Sequence, residues 1–180
     1  MLSDEDLARN VQRGRTADLA VLVERHYSAL LDYLYRLTGG DRPLAEDLAQ
    51  EAFLRALRSI RQYRATQRFK PWLYAIAVNA ARDHFKRAET RYAAALGDED
   101  LLAAADPIEL DDLLKSSGQR VAAAITALPV QQREAIILRY YQDLSLAEIS
   151  EALAIPIGTV KSRLSLGLRH LRARLKDDEV

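Results

Sequence analysis

The 180 residues, 49% hydrophobic and 29% charged, suit one or two small globular domains. The absence of cysteine excludes disulfides and thiolate zinc sites, His26, His84 and His170 are too scattered for a metal-ligand pattern, and no apolar run approaches the ~20 residues of a membrane span. The formal charge is zero but unevenly laid out, net −4 over 1–53, +8 over 54–92, −7 over 93–114 and +3 over 115–180, so two basic bodies flank an acidic strap that the average hides.

Helical periodicity runs through almost the whole chain. Asp4 to Arg13 reads as a short helix ending near Gly14. From Thr16 to Leu37 the residues Leu19, Leu22, Val23, Tyr27, Leu30, Leu31, Leu34 and Leu37 recur at helical spacing, and Gly39-Gly40 stop them. Asp41 is the expected cap, and Pro43 the first-turn residue, of a helix reaching about Tyr63. Polar Arg64 to Arg68 reads as a loop, followed by a helix that opens at Phe69 or Pro71 and runs to Arg87, or as far as Tyr92. Residues 1–92 thus form a first helical domain. Residues 93–116, acidic and carrying Gly97 and Pro107, read as a flexible linker. Residues 117–180 form a second domain. Its first helix is capped by Ser116 or Ser117 and ends at Leu128-Pro129, followed by helices over Val130–Asp143, Ser145–Leu153 and Pro156–Leu175. The expected fold class is all-α, with two small helical domains. The opening MLSDEDLARN is acidic and polar, unlike a secretory signal, and a cytoplasmic protein is the expected default.

Ser145 to Leu171 carries the clearest chemistry. Ser145 and Glu148 have capping-box spacing, with Leu146, Ile149 and Leu153 on one face of the helix they open. In the next helix Val160, Leu164, Leu168 and Leu171 should pack inward. Lys161, Ser162, Arg163, Arg169, Arg172 and Arg174 point outward, and no acid interrupts the stretch. That is the pattern of a helix-turn-helix, whose second helix enters the major groove with its N-terminal residues at base edges. Thr159, Lys161, Ser162 and Arg163 stand there, where arginine can pair with guanine and lysine or serine with phosphate or bases. A packing helix with a solvated basic face is the plainer reading of the same residues.

Three blocks together resemble bacterial RNA polymerase sigma factors of the extracytoplasmic-function type. AEDLAQEAFLRAL (45–57) is similar to that family's segment 2.2, FKPWLYAIAVNAARDHFKR (69–87) to segments 2.3 and 2.4, and the stretch from Leu128 to Leu164 to region 4. The resemblance implies that Glu46, Asp47, Gln50, Glu51 and Leu54 dock on core polymerase. A solvated helix face is the alternative for those charges. It further implies that the second block and the loop before it recognise and open the −10 promoter element. Tyr63, Phe69 and Tyr74 would then meet bases, Asn79 a base edge, and Arg64, Arg68, Lys70, Arg82, Lys86 and Arg87 would supply charge, together with Arg58 and Arg61. Trp72 reads as core before it reads as a base contact, and Asp83 can pair with a neighbouring arginine or lysine. The −35 element would fall to Ser145, Thr159, Lys161, Ser162, Arg163, Arg169 and Arg172, with Arg139 as a further phosphate contact. By analogy, the acidic strap could mimic nucleic acid in the RNA exit path. Leu128-Pro129, Arg133 and Glu134 read as structural, with Arg133 pairing with an acid across its domain. The implied partners are core RNA polymerase, promoter DNA and an anti-sigma factor. No cofactor, small-molecule substrate or membrane insertion of its own is implied.

Two positions depart from the family pattern. Leu166-Gly167 replaces an Arg-Ala pair, which removes a phosphate contact, leaves Leu166 exposed on a polar face, and puts a glycine that costs about 1 kcal/mol relative to alanine inside a helix. Ala154 stands where a turn glycine is common, so the turn is expected to form with some strain. Two other classes compete with an initiation factor. A plain helix-turn-helix regulator leaves the basic, aromatic 69–87 helix unexplained. An enzyme lacks a metal cluster, a phosphate-binding glycine loop and a nucleophile beside a base.

Overall fold

The computed structural model describes residues 1–92 and 118–177. The linker assigned to 93–116 and the capping role of Ser116 or Ser117 lie outside the described residues. Among the described residues the regular structure is helical: α1 (Asp4–Gln12), α2 (Ala17–Leu37), α3 (Arg42–Ser59), α4 (Phe69–Tyr92), α5 (Gly118–Thr126), α6 (Val130–Tyr140), α7 (Leu146–Leu153) and α8 (Ile157–Asp177). A short 3₁₀ turn, Ile60–Gln62, follows α3.

In the first domain α2 supplies the spine, burying Leu22, Leu30, Tyr33, Leu34 and Leu37 along one side. Helix α3 starts as the caps require, with the Asp41 carboxylate accepting from Leu44 N–H at 3.0 Å and proline in the first turn. Its inward face is mostly alanine (Ala45, Ala49, Ala52, Ala56), which lets α2 and α4 approach closely. The N–H of Phe69, which opens α4, donates to the Glu5 carboxylate of α1 at 3.0 Å, so a distant side chain serves this helix end. Gln12 Nε2 donates to the carbonyls of Ile60 and Tyr63 at 2.8 and 2.6 Å and pins the turn that leads into the 64–68 loop.

The second domain packs α5, α6 and α7 against α8, and residues Glu134 to Leu138 of α6 are all buried. The capping box at the start of α7 is complete: Glu148 N–H donates to Ser145 Oγ at 3.2 Å and Ser145 N–H to Glu148 Oε2 at 2.8 Å. Arg133 does not pair with an acid as expected. Its guanidinium donates to the carbonyl of Leu128 at 3.0 Å, to that of Thr126, and to that of Leu37 in the first domain at 2.8 Å. Carbonyls at the ends of α5 and α2 have no partner within their helices, and Arg133 satisfies them.

Ala154 adopts the left-handed conformation, φ 54° and ψ 45°, as the turn between α7 and α8 demands. A Cβ in that region costs roughly 1–2 kcal/mol. Ala154→Gly is therefore expected to raise the unfolding free energy by up to about 1 kcal/mol, once the extra unfolded-state entropy of glycine is set against the relief, and with it the urea midpoint. A lowered midpoint would show that the turn is not strained. The departure at 166–167 is also explained by packing. Leu166 is half-buried rather than exposed, and Gly167 is buried where α8 presses on α6. A Cβ on Gly167 would stand 2.9 Å from Ile136 Cγ1, so the glycine allows the close approach.

The two domains pack together, with α4 along α7 and α2 against α5 and α6. The turn after α2 touches Thr126 at Gly39, whose φ of +72° and lack of a side chain fit the contact. The Arg36 guanidinium lies 3.8 Å from the centre of the Tyr141 ring, a cation–π contact across the same boundary.

Candidate nucleic-acid interface

Three surfaces hold the residues singled out in the sequence. The first is an apolar groove between α2 and α3. Glu46, Asp47, Gln50 and Leu54 border it, together with Leu19, Val23, Tyr27, Phe53 and Leu57. Leu54 is 42% exposed, Leu57 40% and Tyr27 38%, an unusual cluster for large hydrophobic residues. The Tyr27 and Phe53 rings stack at 6.3 Å and hold the floor. Glu51 is not part of this groove. Its carboxylate takes a 2.7 Å hydrogen bond from Arg55, which also pairs with Asp83 of α4 at 2.7 Å. That hydrogen bond holds the Glu51 carboxyl below its ordinary pKa. The contribution of α2 was hidden in the sequence because Leu19, Val23 and Tyr27 share its helical period with true core residues. Their own four-residue spacing, offset from Leu22 and Leu30, is the signal that separates the outer stripe from the inner one.

The second surface is α4 with the loop before it. Tyr63 and Phe69 are buried and shape the loop from inside. The Tyr63 ring packs edge-on to Phe69 at 5.8 Å and tilts on Trp72 at 4.9 Å, while its hydroxyl donates to the Gln67 carbonyl at 2.6 Å. Burial pushes the Tyr63 phenol up to about 12. Trp72 is half-buried against the core, as expected of it. Arg64, Asn79, Lys86 and Arg87 are exposed, and Asp83 is the partner of Arg55. The remaining four residues of this set face the second domain. Arg68 Nη1 lies 2.8 Å from Glu148, Lys70 Nζ donates to the Gln142 carbonyl at 2.6 Å, the Tyr74 hydroxyl donates to Gln142 Oε1 at 2.6 Å, and Arg82 grips both oxygens of Glu134 at 3.0 and 2.8 Å. Burial raises the Tyr74 phenol well above its ordinary value, and the Glu134 hydrogen bond raises the Arg82 guanidinium.

The third surface is the start of α8. Lys161 and Ser162 are exposed in its first turns and Thr159 is half-buried beside them. Ser162 Oγ donates to the Gly158 carbonyl at 3.0 Å. Ser145 spends its hydroxyl in the capping box, and Arg139 donates to the Leu144 carbonyl at 2.9 Å. Arg163 is half-buried with its Nη1 enclosed and lacking a partner, and burial lowers its guanidinium pKa from the usual value. Arg169 and Arg172 lie half-buried farther along the helix. Among the described residues no group of three or more metal-ligating side chains converges, and no helix is long and apolar enough to cross a membrane.

Comparison with known proteins joins these surfaces to a family. Models of sigma-70 region 2 and sigma-70 region 4 match residues 22–91 and 118–171. The ECF RNA polymerase sigma factor SigW of Bacillus subtilis is 34% identical, the match covering 94% of this chain and 95% of that one. The RNA polymerase sigma-H factor of Pseudomonas aeruginosa is 33% identical over 89% of this chain and 88% of its own. Among solved structures, CnrH in complex with the cytosolic domain of CnrY superposes with a TM-score of 0.72 at 25% identity, covering 97% of this chain and 98% of that one. The fold also matches, with a TM-score of 0.69 at 23% identity, the sigma factor RpoE of Bartonella quintana, covering 88% of this chain and 97% of that one. With the two regions in this order and both helical domains built accordingly, the chain belongs to the extracytoplasmic-function family of RNA polymerase sigma factors.

Proposed function

We propose that this chain binds core RNA polymerase and directs it to promoters by reading a −35 element through α8 and capturing an opened −10 element on α4. The observation that carries the reading is the start of α8. A capped helix and a left-handed turn present Lys161 and Ser162 to solvent with Thr159 beside them, on a rigid support of the width a major groove admits. The exposed face of α4 with the loop before it, through Arg64, Asn79 and Arg87, supplies backbone charge and a base-edge partner for a separated strand. The groove of Leu54 gives polymerase an apolar centre with an acidic rim, suited to a basic partner. No covalent step is required of the chain; opening is driven by exchanging base stacking for contacts to protein. CnrH was captured in complex with the cytosolic domain of CnrY, and a protein partner of the anti-sigma class is proposed for this chain. A cytoplasmic location is proposed with this function.

Selection of DNA fragments by the reconstituted holoenzyme tests this reading. Recovered fragments are expected to share two motifs at fixed separation. Lys161→Ala is expected to weaken the upstream motif's recovery and lower the salt dependence by about one phosphate contact, leaving the downstream motif intact. Recovery of a single motif by the chain without polymerase would favour a plain regulator.

A further inference from the structure

We propose that in the free chain Glu134 and Gln142 form a latch, through which the second domain occupies Lys70, Tyr74 and Arg82 of α4 and keeps that half of the −10 surface shut, while Arg64, Asn79, Lys86 and Arg87 stay exposed. The proposal rests on the assignment of α4 to promoter DNA made above.

Glu134 is 1% exposed, and both its oxygens take hydrogen bonds from Arg82 of the first domain. A buried carboxylate is costly unless a cation meets it, so this bidentate pair ties the domains together. Gln142, also buried, is used three ways: its carbonyl holds Lys70, its side-chain oxygen holds the Tyr74 hydroxyl, and its Nε2 donates to Asp32 of α2 at 3.2 Å. Glu148 adds the ion pair with Arg68 at the rim. The chemistry is that of a nucleic-acid mimic. Carboxylates and a carbonyl sit on the arginines and the lysine where phosphates would sit, and Tyr74, 1% exposed, cannot meet a base.

The closure is selective and carries its own opposing term. Lys161, Ser162 and the Leu54 groove stay exposed, so polymerase can engage a latched chain. Arg163, close enough to feel the charges of both Glu134 and Arg82, is left with an enclosed N–H that has no partner. A polar interface with an unsatisfied donor is one that a binding partner can open.

The test uses the full chain, whose lack of cysteine permits clean double labelling. Spin labels at Thr66→Cys and Glu151→Cys, both exposed, report the separation of the 64–68 loop from α7. A predominantly short distance, with a minor long component of about a tenth, is expected in the parent chain. Glu134→Gln and Gln142→Ala should each shift it to a longer, broader distribution. Both variants, unlabelled, should bind a mixed-sequence single-stranded oligonucleotide about tenfold more tightly, the gain expected if the open form rises from a tenth of the population to most of it. Two substitutions at separate contacts guard against a folding defect, because an unfolded chain would lose affinity instead of gaining it. A parent chain that is already open, or variants that stay closed and bind no more tightly, would overturn the latch. Promoter-directed RNA synthesis is scored separately with core polymerase. Its absence in parent and variants would remove the function proposed above, while the distance data would still report whether the domains are latched.

Discussion

Gly167→Ala is expected to destabilise the second domain, although an alanine in a helix interior is normally worth about 1 kcal/mol over glycine. The new methyl would stand 2.9 Å from Ile136 Cγ1, 3.2 Å from its Cδ1 and 3.5 Å from Gln132 Cβ. Ile136 is fully buried and β-branched, so it has neither space nor rotamers with which to yield. Overpacking of this kind costs about 1–3 kcal/mol, and set against the propensity gain of about 1 kcal/mol it leaves a net loss of up to about 2 kcal/mol. Urea unfolding monitored by far-ultraviolet circular dichroism reads the sign directly. A stabilised variant would show that α8 does not approach α6 as described. Because α8 presents Lys161 and Ser162, the same shift should also weaken the −35 recognition proposed for that helix.

Leu54→Glu is expected to reduce affinity for core polymerase by tenfold or more while leaving the free chain's stability within about 0.5 kcal/mol of the parent. The side chain is 42% exposed and borders a groove of apolar groups with Glu46 and Asp47 on its rim. A carboxylate there removes apolar contact at the centre and places a third acid beside two others. Neutral stability follows because the residue gives little to the core of its own domain. Titration of labelled core polymerase, alongside thermal unfolding, separates the two effects. Unchanged affinity in a folded variant would place the docking surface elsewhere. Glu51→Gln, by contrast, should matter less to docking, since Glu51 is turned toward Arg55 and outside the groove.

Local signals make much of the architecture legible in the sequence. Ser145 with Glu148, Asp41 with Pro43, and the 3.6-residue recurrence of leucine each report on a few neighbouring residues, and each recurs in the fold. What stayed hidden depends on residues far apart in the chain. Gly167 looks like a defect until Ile136 is placed against it. Arg133 has no sequence mark that it will serve the carbonyls of two helix ends, one of them in the other domain. Tyr63 and Phe69 sit in a polar, basic stretch that suggests base contacts, and only the packing of Trp72 and His26 shows that their rings turn inward in this arrangement. The pairing of Arg82 with Glu134 joins residues of opposite charge across the two domains, so neither residue's neighbourhood announces it.

Promoter-directed transcription tests the central claim most directly. Purified chain is mixed with core RNA polymerase and genomic DNA fragments, and the 5′ ends of the RNA are sequenced. The expected result is a set of start sites, absent with core polymerase alone, that share paired −35 and −10 motifs upstream. No stimulation of core polymerase, combined with tight sequence-specific duplex binding by the chain alone, would contradict an initiation factor and leave a DNA-binding regulator built on the same helices.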